Sequence, residues 1–290
     1  MSSTPQPTVT VVVGSNAPPA SLVACLEALE AQRAGIEVLV YESQASPTAL
    51  WDRFPWVRFE AAPGRLVPEH WRDGIDAATG EIVALTISQM IPAPGWIATI
   101  RRLLAAHEVV AGAIEPGSRL RLVDWAEYFC RYSRDMLPFP GRETVDLPGD
   151  NAAYARARLE SVRNLYRDGF WEPEIHRQLR TDGVILWQAP ELVVAQGRSA
   201  GFSAFFGQRL RHGRSHGRQR GVRAGRARNL VRVLASPLVP PVMTLRVARI
   251  VLEKRRHRGR LLLSLPLVFA FNVAWALAEG LGHVDELRHR

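Results

Sequence analysis

The sequence predicts an α/β protein with a mostly parallel sheet, followed by a basic and apolar helical tail. Three observations predict it: short β-branched runs alternate with helices of one apolar face, Gly and Pro mark the changeovers, and the composition shifts sharply after Gly197. Val9–Val13 is the first buried strand, closed by Gly14-Ser15-Asn16. Ser21–Gln32 places Leu22, Cys25, Leu26 and Leu29 at helical spacing. Glu37-Val-Leu-Val-Tyr41 and Trp56–Phe59 read as the second and third strands. A helix over Glu69–Thr79 stops at Gly80, Ile82–Thr86 is the fourth strand, and Pro94 starts a helix over Trp96–Ala106. Strand and helix in repeated alternation mean a parallel sheet covered on both faces, and such sheets bind ligands beyond the carboxyl ends of their strands. The loops after Val13, Tyr41 and Thr86 are therefore the first places to search.

With 290 residues, 47% of them hydrophobic and 22% charged, the chain can bury a sizeable core and is neither disordered nor collagen-like. Cys25 and Cys130 are too few and too far apart for a disulfide framework or a zinc knuckle, and read as reduced, buried thiols of a cytosolic setting. The polar N-terminus, residues 1–7, lacks the pattern of a secretory signal and reads as disordered. A net charge of +9 conceals an asymmetry: residues 1–197 carry 18 Lys+Arg against 24 Asp+Glu, whereas residues 198–290 carry 19 against 4. This divides the chain into a globular domain over 8–197, a basic Arg/Gly-rich segment over 198–232 and a membrane-associated helical tail over 233–290. Leu234–Leu252 is apolar but interrupted by prolines and arginines, a basic cluster follows, and Leu261–Ala278 contains no charge. That last run is near the roughly 20 residues a bilayer span needs, so it either spans the membrane or lies in it; the bland alternative is a buried core helix. The flanking arginines Arg255, Arg256, Arg258 and Arg260 keep that flank, with the globular domain, on the cytoplasmic side.

Several local patterns occur in one order over residues 8–215, and together they resemble the inverting family-2 glycosyltransferases of GT-A fold. Val9–Val13 with Ser15-Asn16 is similar to the first strand and nucleotide-contacting loop, and Glu37–Glu42 to the second strand, whose terminal acid holds the base or ribose. Trp71-Arg-Asp-Gly-Ile-Asp-Ala-Ala-Thr-Gly-Glu-Ile-Val-Ala84 resembles the family's ARNxGIxxAxGEIVA segment, with Asp73 where Asn is usual. Pro92-Ala-Pro-Gly-Trp96 resembles the segment after the metal motif, and Gly149-Asp-Asn151 with Ala153-Tyr154 the acceptor-side strand and turn. The resemblance implies nucleotide-sugar contacts from Ser15, Asn16, Glu42, Asp73, Ser88 and Gln89, and an acceptor side built from Asp150, Asn151, Trp171 and His176. Glu42 can equally be a solvated loop acid, and Asp73 a helix-surface acid.

Gly169-Phe-Trp-Glu-Pro-Glu-Ile-His-Arg-Gln-Leu-Arg-Thr-Asp-Gly183 is similar to the family's EDxELxxRLxxxG, which places the catalytic base at Glu172, with Glu174 the second choice. Pro173 fits a helix start, where a carboxylate lies near orphan backbone N–H groups and stays ionised, as a base must. Glu172 could also be only a helix cap. Gln208-Arg-Leu-Arg-His-Gly-Arg214 resembles the family's QRxRYGR element, so Arg209 and Arg211 are candidates to clamp the donor diphosphate; otherwise they begin a lipid-facing basic face.

The largest departure follows the fourth strand. Where the family has Asp-x-Asp for Mg2+ or Mn2+, this chain has Ile87-Ser88-Gln89, a hydroxyl and an amide that suit neither ion. A metal-independent transferase, a pseudoenzyme and a divergent branch all remain open. A branch carrying Glu-Asp-His at this position is otherwise similar, including its VDWAxYF stretch, here Val123–Phe129. No cofactor is assigned, and a divalent metal stays open. The leading expectation is a transferase moving sugar from a nucleotide-sugar donor to a lipid-linked or polysaccharide acceptor, with inversion, at the cytoplasmic membrane face beside anionic lipids. A catalytically silent partner or scaffold is the alternative. Nucleic acid is not an expected partner, since the Arg/Gly tract has only Phe202, Phe205 and Phe206 for stacking, all at its start.

Overall fold

The computed structural model describes residues 7–16, 18–44, 46–118, 120–197, 201–222 and 225–288. Most of the N-terminal stretch read as disordered, and Arg198–Ala200 at the head of the Arg/Gly-rich segment, lie outside these residues. The described chain forms two compact units. One comprises the residues up to Gly117 together with Asp135–Gly197, the other those within 118–134 and from 201 onward.

In the first unit the expected alternation is present. Strands β1 (Val9–Ser15), β2 (Ile36–Glu42), β3 (Val57–Ala61) and β4 (Ile82–Ile87) are separated by helices α1 (Pro19–Glu30), α2 (Thr48–Arg53) and α3 (Val67–Ala77). They pair in parallel in the order β3-β2-β1-β4. Every residue of β1 and β4 is buried, which is why both read as unbroken apolar runs: a strand covered on both faces has no solvent side to alternate with. Gly74 lets α3 lie directly on β1, since a Cβ there would stand 2.1 Å from Val12 Cγ1.

Beyond β4 the sheet becomes mixed. After β5 (Met90–Pro92), α4 (Trp96–Leu104) and β6 (Val109–Pro116), the chain passes through α5 (Leu122–Tyr132) and β7 (Arg142–Glu143) to β8 (Asn151–Ala155). β8 inserts antiparallel to both β4 and β6. Helices α6 (Arg156–Ser161) and α7 (Glu172–Thr181) lead to β9 (Leu186–Gln196), which runs parallel to β6 and antiparallel to β5 and β7. The β6–β9 register slips between Gly112 and Ala113, where a Cβ on Gly112 would lie 1.7 Å from the Leu192 carbonyl oxygen. Only glycine admits that approach.

The second unit is helical: α5, α8 (Phe202–Val222), α9 (Arg226–Ala235), α10 (Val239–Glu253) and α11 (Arg258–Arg288), with a 3₁₀ turn at Ser236–Leu238. Residues 118–134 lie inside the 8–197 span read from the sequence, yet α5 packs with the tail. Its aromatic face supplies the reason: Trp125, Tyr128 and Phe129 are buried, Arg260 stacks over Trp125, and Cys130 packs at the Val268 carbonyl. Burial pushes the thiols of both Cys25 and Cys130 up to about 12, so neither ionises near neutrality. The prolines expected to break 234–252 instead begin a helix, because Pro240 and Pro241 fall in the first turn of α10, where no intrahelical N–H is required.

Glycines of the Arg/Gly tract form a helix seam. A Cβ on Gly213 would stand 2.8 Å from the Trp275 carbonyl, one on Gly217 2.2 Å from that of Glu279, and one on Gly221 2.7 Å from Glu286 Cγ. Spacing by four residues puts all three on one face of α8, and Gly282 answers from α11, 2.4 Å from the Arg214 carbonyl. Arginines beside the seam pair with α11 acids: Arg214 and Arg218 with Asp285, Arg220 with Glu279. Hydrogen bonds from Arg214 and then Arg218 hold Asp285 down at about 2.

Candidate active site

The carboxyl ends of β1, β2 and β4 meet at one edge of the first unit. Ser15 is buried opposite Glu42 in the β1–β2 register, the Ser88 N–H donates to the Gly14 carbonyl at 3.1 Å, and Asn16 lies exposed beyond them. Ser43, which sequence reasoning passed over, knits this edge: its hydroxyl contacts Asn16 Oδ1, the Arg65 carbonyl and His70 Nε2. Burial lowers the basicity of His70. Glu42 is itself buried, and both carboxylate oxygens accept hydrogen bonds from Ser46. Asp73 stands on α3 between Arg65 and Arg72, paired with each. Gln89 completes the turn into β5, where its carbonyl accepts from Gly197 N–H at 2.7 Å.

A second group surrounds the start of α7. This helix opens at Glu172 with Pro173 behind it and Trp171 as its N-cap. The Glu172 carboxylate lies against the bare face of Gly149: a Cβ there would be 2.5 Å from Glu172 Oε1 and 2.9 Å from the Trp71 ring. Trp71 is fixed in turn, its indole N–H donating to the Thr86 carbonyl at 2.9 Å, while the Thr86 hydroxyl donates to the Asp150 carbonyl at 3.0 Å. Glu172, Asp150 and the end of β4 are thus joined through Trp71, Thr86 and Gly149, three residues whose roles need the fold to be seen. The sequence marked all three, Trp71 and Gly149 inside motif-like segments and Thr86 at a strand end, but not the contacts that join them.

Asn151 braces the interior. Its Oδ1 accepts from Trp96 Nε1 at 2.9 Å, and its Nδ2 donates to the Ala113 and Leu192 carbonyls at 2.9 and 3.0 Å, across the slip in register. His176 is likewise wholly buried, with Nε2 2.8 Å from the Tyr154 hydroxyl and Nδ1 2.6 Å from Asp146 Oδ1. Burial, with the negative charges of Glu172 and Asp146 adding to it, pushes the Tyr154 phenol well above its ordinary range. The phenol therefore stays protonated, its hydroxyl paired with Nε2 while Asp146 pairs with Nδ1. Replacing His176 by Leu strands a buried hydroxyl and should cost about 1–3 kcal/mol of stability. An unchanged urea midpoint would refute this account of the triad.

Arg209 and Arg211 lie in the other unit, on α8. The Arg209 guanidinium donates to the Phe271 carbonyl at 3.4 Å and Asn272 Oδ1 at 3.3 Å and stacks over Trp275; Arg211 is exposed. Among the described residues, no group of three or more His, Cys, Asp or Glu side chains could hold a metal ion. Ser88 and Gln89 offer a hydroxyl and an amide at the end of β4, a donor set that does not fit a hard divalent cation.

No protein-family model matches the chain, and no curated protein matches it in sequence. Solved structures do. A mannosyltransferase from Pyrobaculum calidifontis, in complex with GDP-Man and Mn2+, aligns at TM-score 0.56 and 16% identity, covering 98% of this chain and 88% of the other. GalNAc-T7, solved with UDP, GalNAc and Mn2+, aligns at TM-score 0.50 and 12% identity over 67% of this chain and 44% of its own.

Proposed function

From the premise that the chain has the GT-A glycosyltransferase fold, we propose that it transfers a sugar from a nucleotide-sugar donor to a hydroxyl acceptor, with Glu172 as the base. The observation that carries this reading is the placement of Glu172 at the first turn of α7, against Gly149 and linked through Trp71 to the carboxyl end of β4. The donor lies over the β1, β2 and β4 ends near Ser15, Asn16 and Ser88. Glu172 takes the acceptor hydroxyl proton as that oxygen attacks the anomeric carbon, and the nucleoside diphosphate leaves from the opposite face. A single displacement of this kind inverts the anomeric centre. Trp171, next to Glu172 in the chain, and Asp150, next to Gly149, border the acceptor.

The acceptor we infer is lipid-linked or a growing polysaccharide at the cytoplasmic face of a membrane. Support comes from the net positive charge of residues 198–290 and from two stretches, Arg226–Glu253 and Arg258–Leu287, that are long and apolar enough to cross a bilayer by length and composition. A panel of nucleotide sugars, assayed for transfer and for hydrolysis with and without Mn2+, tests the activity. Binding without turnover on every donor would favour the second reading, a catalytically silent partner of an active transferase, for which Ile87-Ser88-Gln89 is the motivation.

Donor affinity should stay within about twofold when EDTA is added, because hydroxyl and amide groups stand where a metal's carboxylates are expected. Calorimetric titration before and after chelation measures it. A collapse in affinity would reveal acidic ligands elsewhere.

A further inference from the structure

Membrane association leaves open whether α11 crosses the bilayer, and its packing answers in an unexpected direction. One side of the helix is an uncharged stripe facing outward, where Leu262, Leu263, Phe269 and Leu277 are all exposed. Its other side is packed, and the polar groups set among its buried apolar residues are engaged. Asn272 Nδ2 donates to Thr244 Oγ1 of α10 at 3.0 Å, while Asn272 Oδ1 and the Phe271 carbonyl accept from Arg209 of α8. α8 follows α11 in the same direction, from Phe205 against Phe271 to Arg218 against Asp285. Their backbones are interlocked at Gly213, Gly217 and Gly282.

A crossing α11 would therefore take α8 with it, and with α8 the Arg209 guanidinium, held at Phe271 and Asn272 midway along the apolar run. Charges at the centre of a bilayer are expensive and do not fit there as passengers. If α11 crossed alone, the glycine seam and the Asn272 amide would face hydrocarbon with their partners gone. Neighbouring helices also expose apolar residues, and theirs stand among arginines. On α10, Val242 and Leu245 are exposed beside Arg246 and Arg249; on α9, Leu230 and Leu234 are exposed among Arg226 and Arg228. Leucine and arginine alternating on one outward surface suit the boundary between acyl chains and anionic headgroups, where the stem of each arginine lies in the apolar layer and its head reaches phosphate.

We propose that the second unit is seated on a single leaflet of an anionic membrane, with α11 lying in the membrane plane and no helix crossing. This rests on the membrane association proposed above and adds its geometry. The test uses the full-length chain, single cysteines replacing Leu262, Phe269 and Leu277 in turn, nitroxide labelling, and vesicles of phosphatidylcholine and phosphatidylglycerol. Cys25 is buried, and Cys130 faces Val268, so a Cys130→Ala background removes any residual labelling. Oxygen and nickel-chelate accessibilities report depth. Three similar, shallow depths are expected, with a label replacing Arg218 fully accessible to nickel. A helix spanning the bilayer would separate positions 262 and 277 by roughly 20 Å along the normal, given about 1.5 Å of rise per residue, and that profile overturns the in-plane seat while leaving membrane association intact. A chain that fails to sediment with the vesicles overturns membrane association itself. Labels that stay open to nickel, or broaden through spin–spin contact between copies, assign the apolar face to a second molecule and refute the lipid seat.

Discussion

Glu172→Gln should fold normally and lose turnover by about 10²–10⁴-fold, the range expected when a positioned base is removed. The substitution keeps the shape of the side chain, so the contacts with Gly149 and Trp71 persist while the proton acceptor is lost. Glu172 occupies the first position of α7, with Trp171 as the N-cap and Pro173 behind it. Glu174 shares that first turn but is displaced by two residues, which turns it to a different side of the helix. Glu174→Gln should therefore stay within a few-fold of the parent. Steady-state transfer assays on both variants, with circular dichroism as the folding control, decide the matter: parental activity in Glu172→Gln, or a collapse in Glu174→Gln, moves the base elsewhere.

Adding one methyl group at Gly149 is expected to cost about 10²-fold in turnover without unfolding the protein, the scale of a catalytic group misplaced by around an ångström. The new Cβ would overlap Glu172 Oε1 at 2.5 Å and the Trp71 ring at 2.9 Å. Trp71 is buried and tied to the Thr86 carbonyl, so it resists displacement. A carboxylate on a flexible stem shifts more readily than a buried indole, so Glu172 is the group displaced. The diagnostic is the double variant. Gly149→Ala placed in a Glu172→Gln background should add little further loss, since the group it displaces is already disabled. Full additivity of the two defects would show that Gly149 acts through something other than Glu172.

What could be read from the sequence divides along a physical line. β1, β2 and β4 were legible because strands buried on both faces leave continuous apolar runs, and α1, α3 and α4 because one buried face recurs at helical spacing. The start of α7 was legible from the resemblance of Gly169–Gly183 to EDxELxxRLxxxG, with Pro173 fitting a helix start. The antiparallel entry of β8 was not, for a strand's direction depends on the route of the chain before it. Asn151 shows the same limit within the site: Asp-Asn at the head of a strand reads as substrate-facing, yet the Asn151 amide turns inward to bridge Trp96, Ala113 and Leu192, residues brought together only by the folded sheet. The Arg/Gly tract was legible as a basic segment, but the role of its glycines was not: with α11 laid against them, Gly213, Gly217 and Gly221 are the surface on which two helices touch.

Residues 118–134 give the chain an interleaved connectivity, leaving the first unit after Gly117, returning at Asp135 and leaving again after Gly197. During synthesis α5 emerges long before α10 and α11, the helices that pack against it, with Arg260 over Trp125 and Val268 at Cys130. Until the last residues leave the ribosome, the nascent protein thus displays an aromatic helix with nothing to close over it, a species exposed to chaperones and to aggregation. The same order of events governs recombinant fragments. A version ending at Gly197, the boundary that composition recommends, retains α5 with its cover permanently missing, and it should accumulate in inclusion bodies where the full chain does not.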